Sequence, residues 1–220
     1  MRPRWCNIGF SLPRFYPIVD AGAAACHGCS PVLLAECLLE AGARILQFRH
    51  KGLFTAAALS DAGAIASLCR DAGAHFIVND RADIAALLGA GVHLGQDDLP
   101  PAAARRLLGS AIIGFSTHNR AQLEAAARED VEYVALGPIF ATASKADPDP
   151  VVGTEQLRAL RSLAPRPLAV IGGITLSNAR SALEAGADSV AVIAGLFPET
   201  AHPAALRRRA AQWLAAVEAV

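Results

Sequence analysis

The stretch "EAGARILQFRHKG", residues 40 to 52, sets the reading of the whole chain. It runs from an Ala/Leu-rich segment through a glycine into an apolar run, and ends in a cluster of polar residues. Glycine just past a helix end is the usual left-handed cap, so 31–42 is predicted to be a helix and 44–50, "RILQFRH", a strand. The same junction returns in "DAGAHF" (71–76), "GAGVHL" (89–94) and "EAGADSV" (184–190). Working outward, strands are predicted at 15–20, 44–50, 75–80, 91–95, 111–117, 133–139, 167–173 and 189–195. Helical spacing is predicted at 31–42, 55–73, 100–108, 119–129, 154–163, 176–185 and 203–219, with a shorter helix at 81–88. Eight strands, each followed by a helix, in about 200 residues predict an α/β protein with a single (β/α)8 TIM barrel. The competing open, doubly wound sheet would carry a phosphate-binding glycine loop after the first strand. "VDAGAAACHG" (19–28) does not match that pattern. Residues 15–220 are the expected catalytic domain and 1–14 an N-terminal extension.

Composition agrees with this class. Of 220 residues, 53% are apolar and only 5% aromatic, so the core rests on Ala, Val, Leu and Ile. Twenty basic residues balance twenty acidic ones, which gives no support for a nucleic acid or an anionic membrane as partner. No run reaches the roughly 18 apolar residues of a membrane span. The first fifteen residues lack the apolar core of a signal peptide, so a soluble, cytoplasmic protein is expected. Five cysteines, an odd number without a secretion signal, are expected to be reduced thiols. "CHGC" (26–29) reads as part of a Gly/Ala-rich loop rather than a metal or redox motif, since no second CxxC accompanies it. A homo-oligomer is compatible with the pattern, because a barrel can bury an apolar helix face against a second copy.

Polar residues gather where a barrel of this type places its catalytic groups, at the C-terminal ends of the strands. Strand alternation puts Gln47, Arg49 and Lys51 in one column and turns His50 toward the helices. Asn79 and Asp80 end the third strand; Gln96, Asp97 and Asp98 follow the fourth; Ser116, Thr117 and His118 close the fifth. By strand logic Asp97 and Asp98 are not expected to face inward together. The Pro- and Asp-rich connection 140–153 carries Thr142, Ser144 and Lys145, and a loop of that length is more often functional than idle. The N-terminal ends of the strands are mostly plain. Arg49, Lys51 and Lys145 suit a highly charged anion such as a diphosphate. Asp80 and Asp98 are hard oxygen ligands matched to Mg2+ held jointly with substrate phosphate. Gly172–Gly173 and residues 193–195 offer backbone N–H groups for a second phosphate. Two phosphorylated substrates are therefore expected. Each of the acidic residues alone reads equally as a helix cap. His93 reads as a packed or hydrogen-bonded core histidine, and His118 as either an acid/base or a loop residue. The basic turn "ALRRRAAQ" (205–212) reads as a solvated face.

The motifs "YPIVD", "QFRHKG", "VNDRADIA", "GVHLGQDDLP", "GFSTHN", "LGPIFATASK", "IGGIT" and "SVAVIAG", in this order, resemble the thiamine-phosphate synthase family, which also includes the thiazole tautomerases. The resemblance implies joining of a hydroxymethylpyrimidine diphosphate to a thiazole phosphate, with Mg2+ and release of pyrophosphate. Carried over by motif, Gln47, Arg49, Lys51, Asn79, Ser116 and Lys145 would hold the pyrimidine diphosphate, with Arg49, Lys51, Ser116 and Lys145 as the catalytic set. Asp80 and Asp98 would hold the metal. Thr142, Ser144, Gly173, Ile193 and Ala194 would hold the thiazole phosphate. Phe48, His50 and Ala143 lie inside these binding segments and are carried with them. The chain departs from the family pattern in having His50 in the usual Arg-Glu-Lys, Ser144 in the usual Thr-x-Thr-Lys, and Ala194 where serine is frequent. Two other readings stand beside the synthase. One is a thiazole tautomerase using His118 as acid/base, and the other a non-catalytic barrel that binds phosphate ligands.

Overall fold

The computed structural model describes residues 10–142 and 149–219. Among these, eight parallel strands close into a barrel in sequence order: β1 Phe15–Asp20, β2 Ile45–Arg49, β3 His75–Asn79, β4 Gly91–Leu94, β5 Ile113–Thr117, β6 Tyr133–Leu136, β7 Leu168–Val170 and β8 Ser189–Val192. Helices surround it: α1 Ala21–Cys26, α2 Pro31–Ala41, α3 Ala56–Asp71, α4 Ala82–Leu88, α5 Pro101–Leu108, α6 Arg120–Ala126, α7 Gly153–Leu160, α8 Ala179–Glu184 and α9 Pro203–Glu218. The predicted single (β/α)8 barrel is the observed fold.

Local chemistry explains the element ends. Ser30 and Thr55 cap α2 and α3 by accepting from the N–H groups of Leu33 and Ala58. Gly42 ends α2 with φ 114°, the left-handed cap expected from its place in the opening motif. One helix escaped the sequence reading. Residues 21–26, taken as loop, form α1, because Asp20 accepts from Ala23 N and starts a helical turn directly from β1. Cys26 therefore ends a helix, and the buried Cys29 lies in the turn after it.

Alternation divides the core into two parts. Phe15, Val19, Leu46, Phe48, Val78, Val92, Leu94 and Val190 point outward and pack against the helices. Tyr16, Ile18, Ile45, Ile77, Tyr133, Ala135, Ala169 and Ala191 fill the barrel interior, with Phe10 and Leu12 packed against them. Phe10 lies edge-on to His75, with ring centroids 5.3 Å apart. Residues 13 and 14 accept from the first residues of β8, Ser189 Oγ (2.6 Å) and Val190 N (2.8 Å). The described part of the N-terminal segment is thus bonded to the barrel. Trp213 of α9 is fully buried, stacks on Phe15 and donates to Gly195 O at 2.8 Å. That contact holds the turn after β8 against the last helix.

Candidate active site

A cavity of about 920 Å³ opens at the C-terminal end of the barrel. Gln47, Arg49, Lys51, Asn79, Asp80, Asp98, Ser116, Thr142, Gly173, Ile193 and Ala194 all line it. Strand register brings the first of these together: Asp20 pairs with Arg49 across β1 and β2, and Asn79 with His93 across β3 and β4. Parity then separates neighbours in sequence. Phe48 is 1% exposed and packs edge-on to Phe54 among the helices. His50 also lies edge-on to Phe54, and its Nε2 is 3.1 Å from Leu53 O. Neither residue lines the cavity. Ala143, Ser144 and Lys145 lie outside the described residues.

Both cations of the β2 column are paired. Arg49 Nη1 bonds to Asp20 Oδ2, so one carboxylate both caps α1 and aims the guanidinium. Asp20 was missing from the expected site, although it ends β1 on the same face as Tyr16 and Ile18, and that parity was the available signal. Lys51 Nζ donates to Asp80 Oδ2 at 2.6 Å. Asp80 has φ 65°, a left-handed conformation that aspartate tolerates better than most side chains. Its backbone N is fixed to His93 O at 2.8 Å. Beside it, Asp98 Oδ2 accepts from Gly95 N at 2.7 Å. Burial pushes the Asp98 carboxyl above the usual range, and the adjoining Asp80 carboxylate pushes the same way, against the pull of the Gly95 N–H. Asp97 lines the cavity too, against expectation, because β4 stops at Leu94 and strand alternation no longer applies.

The Asn79 amide nitrogen is buried without a hydrogen-bond partner among the described residues. An unpaired buried donor costs about 1–3 kcal/mol, so a ligand acceptor at this point would be stabilised. His118 also lines the cavity, with Nδ1 2.7 Å from Gly137 O and 3.4 Å from Asp149 Oδ2.

The opposite wall is built from backbone. Gly173 has φ 63°, and a Cβ there would lie 2.4 Å from Ala141 O, so only glycine fits. Asn178 Nδ2 holds Gly173 O at 2.9 Å. Ile193 leads into a single 3-10 turn, Ala194–Leu196, and Ile193, Ala194 and Gly195 also line the cavity. The site therefore has two poles, one of paired charges and one lined by glycine and small or apolar residues.

The thiamine monophosphate synthase family profile matches residues 15–196. A thiamine-phosphate synthase from Koribacter versatilis is 46% identical over 213 residues, covering 94% of this chain and 96% of the relative. Another from Chloroflexus aurantiacus is 39% identical, covering 89% and 90%. The structure of a thiamine phosphate pyrophosphorylase from Pyrococcus furiosus superposes with a TM-score of 0.82 at 29% identity, covering 94% of this chain and 96% of that one. With barrel, cavity and near-full-length relatives in agreement, the chain belongs to the thiamine monophosphate synthase family.

Proposed function

We propose that the protein is a transferase that joins a hydroxymethylpyrimidine diphosphate to a thiazole phosphate, giving thiamine phosphate and pyrophosphate. The observation that carries this reading is the two-pole cavity: Arg49, Lys51, the carboxylates of Asp80 and Asp98 and the unpaired Asn79 amide share it with Gly172 and Gly173. The relatives named above point the same way.

In this reading the pyrimidine C–O bond breaks first, and its electron pair leaves with the diphosphate. The ring-stabilised methylene cation is then captured by the thiazole nitrogen, forming the C–N bond. Such a step needs stabilisation of the leaving group more than a strong base. Arg49 and Lys51 supply it from the rim, with Lys145 added on motif grounds, while Ser144 belongs by the same motif with the thiazole phosphate. Asn79 Nδ2 and the Ser116 hydroxyl bind the pyrimidine diphosphate. Gln47, whose Nε2 donates to Tyr16, presents its carbonyl end to the pyrimidine. Thr142, Gly173, Ile193 and Ala194 hold the thiazole phosphate. The walls of the barrel exclude water from the cation.

Asp80 and Asp98 fit Mg2+ by their chemistry. They are two neighbouring hard carboxylates, each with one oxygen engaged by Lys51 or Gly95. No group of three or more such ligands occurs among the described residues, and an ion held by these two would need water and substrate phosphate to complete its shell. When bound, the ion would neutralise charge on the diphosphate. No helix among the described residues is long and apolar enough to cross a membrane, and the four described cysteines are free; a cytoplasmic setting accords with both.

The test is incubation with both substrates and Mg2+, followed by chromatography for thiamine phosphate and pyrophosphate. Both products should form in equal amounts and disappear on chelation. Conversion of the thiazole alone would establish a tautomerase instead. Binding of either phosphate without turnover would establish a non-catalytic barrel.

A further inference from the structure

Inside the barrel, at the base of the cavity, five polar side chains stand in single file, and four of them, Tyr16, Gln47, His93 and Ser116, line the cavity. Gln47 Nε2 donates to Tyr16 OH at 3.0 Å. Tyr16 OH lies 2.7 Å from Tyr133 OH, which lies 2.9 Å from His93 Nδ1. His93 Nε2 lies 2.8 Å from Ser116 Oγ, at the cavity wall. The residues come from β1, β2, β4, β5 and β6, and all except Ser116 are buried. Room for the file comes from Gly114, where a Cβ would meet both the Tyr133 ring (2.1 Å) and His93 Nδ1 (2.5 Å).

Counting protons gives the file a direction. The Gln47 amide nitrogen can only donate, so Tyr16 oxygen accepts there and its single proton goes to Tyr133. Tyr133 must then give its own proton to His93 Nδ1. A neutral imidazole with Nδ1 accepting carries its proton on Nε2, and that proton goes to Ser116 Oγ. The Ser116 proton is left unspent at the cavity wall. Gln47, Tyr16, Tyr133 and His93 are buried, which favours their neutral forms. Turning the Gln47 amide over would reverse every bond and make Ser116 an acceptor of the ligand's proton.

We propose that His93 is a positioning residue, held in its Nε2–H form by the file that begins at Gln47, and that it presents the Ser116 hydroxyl as a donor to the pyrimidine half of the reaction. Donation at Ser116 and recognition at Gln47 are thereby set together. The ligand so selected offers a hydrogen-bond donor to Gln47 Oε1 and an acceptor to Ser116 Oγ. Replacing the donor by a carbonyl oxygen would turn the Gln47 amide over, reverse the file and leave Ser116 unable to donate to the ligand's acceptor. The identity of that ligand rests on the proposed function, whereas the direction of the file does not.

Two measurements test the proposal separately from the activity. Carbon-13 chemical shifts of the imidazole carbons, assigned with His93→Gln, report the tautomer. The Nε2–H form is expected, and the Nδ1–H form would overturn the proposal. Calorimetry then compares binding of the pyrimidine diphosphate and of the thiazole phosphate, each alone. Tyr133→Phe keeps the ring and should weaken the first about tenfold, one bond of 1.4 kcal/mol, with the second within twofold. In a Ser116→Ala background the same change should cost less than twofold, because the effect passes through Ser116. A full tenfold loss there, or equal losses for both ligands, would show a structural role and sink the idea. His93→Gln, which keeps a neutral N–H donor, should bind the pyrimidine diphosphate more tightly than His93→Leu. Absence of product from the wild-type protein would count against the proposed function and leave the tautomer result standing.

Discussion

The two ends of the barrel hold the same kinds of charged residue and use them in opposite ways. At the N-terminal end, Glu132 receives Arg105 Nη2 on both oxygens (2.9 and 2.8 Å), and its Oε2 also accepts from Ile113 N, the first residue of β5. Asp188 repeats the device, accepting from Arg161 Nη2 at 3.1 Å and from Leu168 N, the first residue of β7, at 2.7 Å. Arg105 Nη1 reaches two carbonyls and Nη2 reaches Asp130 O and Glu132, while Nε lies 3.1 Å from Asp130 Oδ2, close enough for charge but without a hydrogen bond. At the C-terminal end Arg49 and Lys51 each have one carboxylate partner, and Asn79 Nδ2 has none among the described residues. Charge bonded several times over to protein ties strands together, and charge with a single partner is what the proposed function assigns to a ligand.

The sharpest way to break this comparison is to remove one arginine from each end. Arg49→Ala should lower kcat/KM for the pyrimidine diphosphate by about 10²- to 10³-fold, the usual effect of losing a donor to developing charge. Its urea midpoint should fall by less than that of Arg105→Ala, because Arg49 loses one ion pair and Arg105 loses several bonds to the fold. Arg105→Ala should do the reverse, costing about 2–3 kcal/mol of stability by urea unfolding, since it leaves Glu132 without its charged partner, while kcat of the folded enzyme is kept. Loss of turnover in folded Arg105→Ala would erase the distinction between the ends.

A third test uses pH. His93 is buried, and its pKa falls from the ordinary 6.5 to about 4. Above pH 6.5 it is neutral in both folded and unfolded chains and costs nothing. As pH falls below 6.5 the unfolded chain takes up the proton first, so stability declines until the folded value near 4 is passed. Between pH 7 and pH 5 this amounts to about 2 kcal/mol. That part of the slope, read from urea midpoints, should vanish in His93→Gln. An unchanged slope would show that the buried imidazole is not its source. The smallest effect is expected at His50, which lies edge-on to Phe54 outside the cavity: His50→Glu should change kcat/KM by less than about twofold.

Much of the fold was legible because its signals are local. The strand runs, the Ser30 and Thr55 caps and the Gly42 stop depend on residues within one turn of each other. The α1 helix was missed because "AGAAAC" has no apolar periodicity and its cap, Asp20, reads as the end of a strand. The plain appearance of the strand N-termini misled for a similar reason. Glu132 and Asp188 stand just before their strands, while their arginine partners lie 27 residues away in sequence, in α5 and in the 3-10 turn after α7. At the site, alternation correctly grouped Gln47, Arg49 and Lys51 and turned His50 away. It failed for Asp97 and Asp98, which follow the end of a strand.

By itself the sequence determined the closed barrel, the rim where charge collects and the family to which the chain belongs. Periodicity, caps and motif order are properties of short stretches. Only the tertiary structure decided which charges meet. Asp20 reaches Arg49 across 29 residues, His93 reaches Tyr133 across 40, and Tyr16 reaches Tyr133 across 117. The register of parallel strands, set by the closed barrel rather than by any one strand, brings these side chains within hydrogen-bond distance and gives the proton of Ser116 its direction.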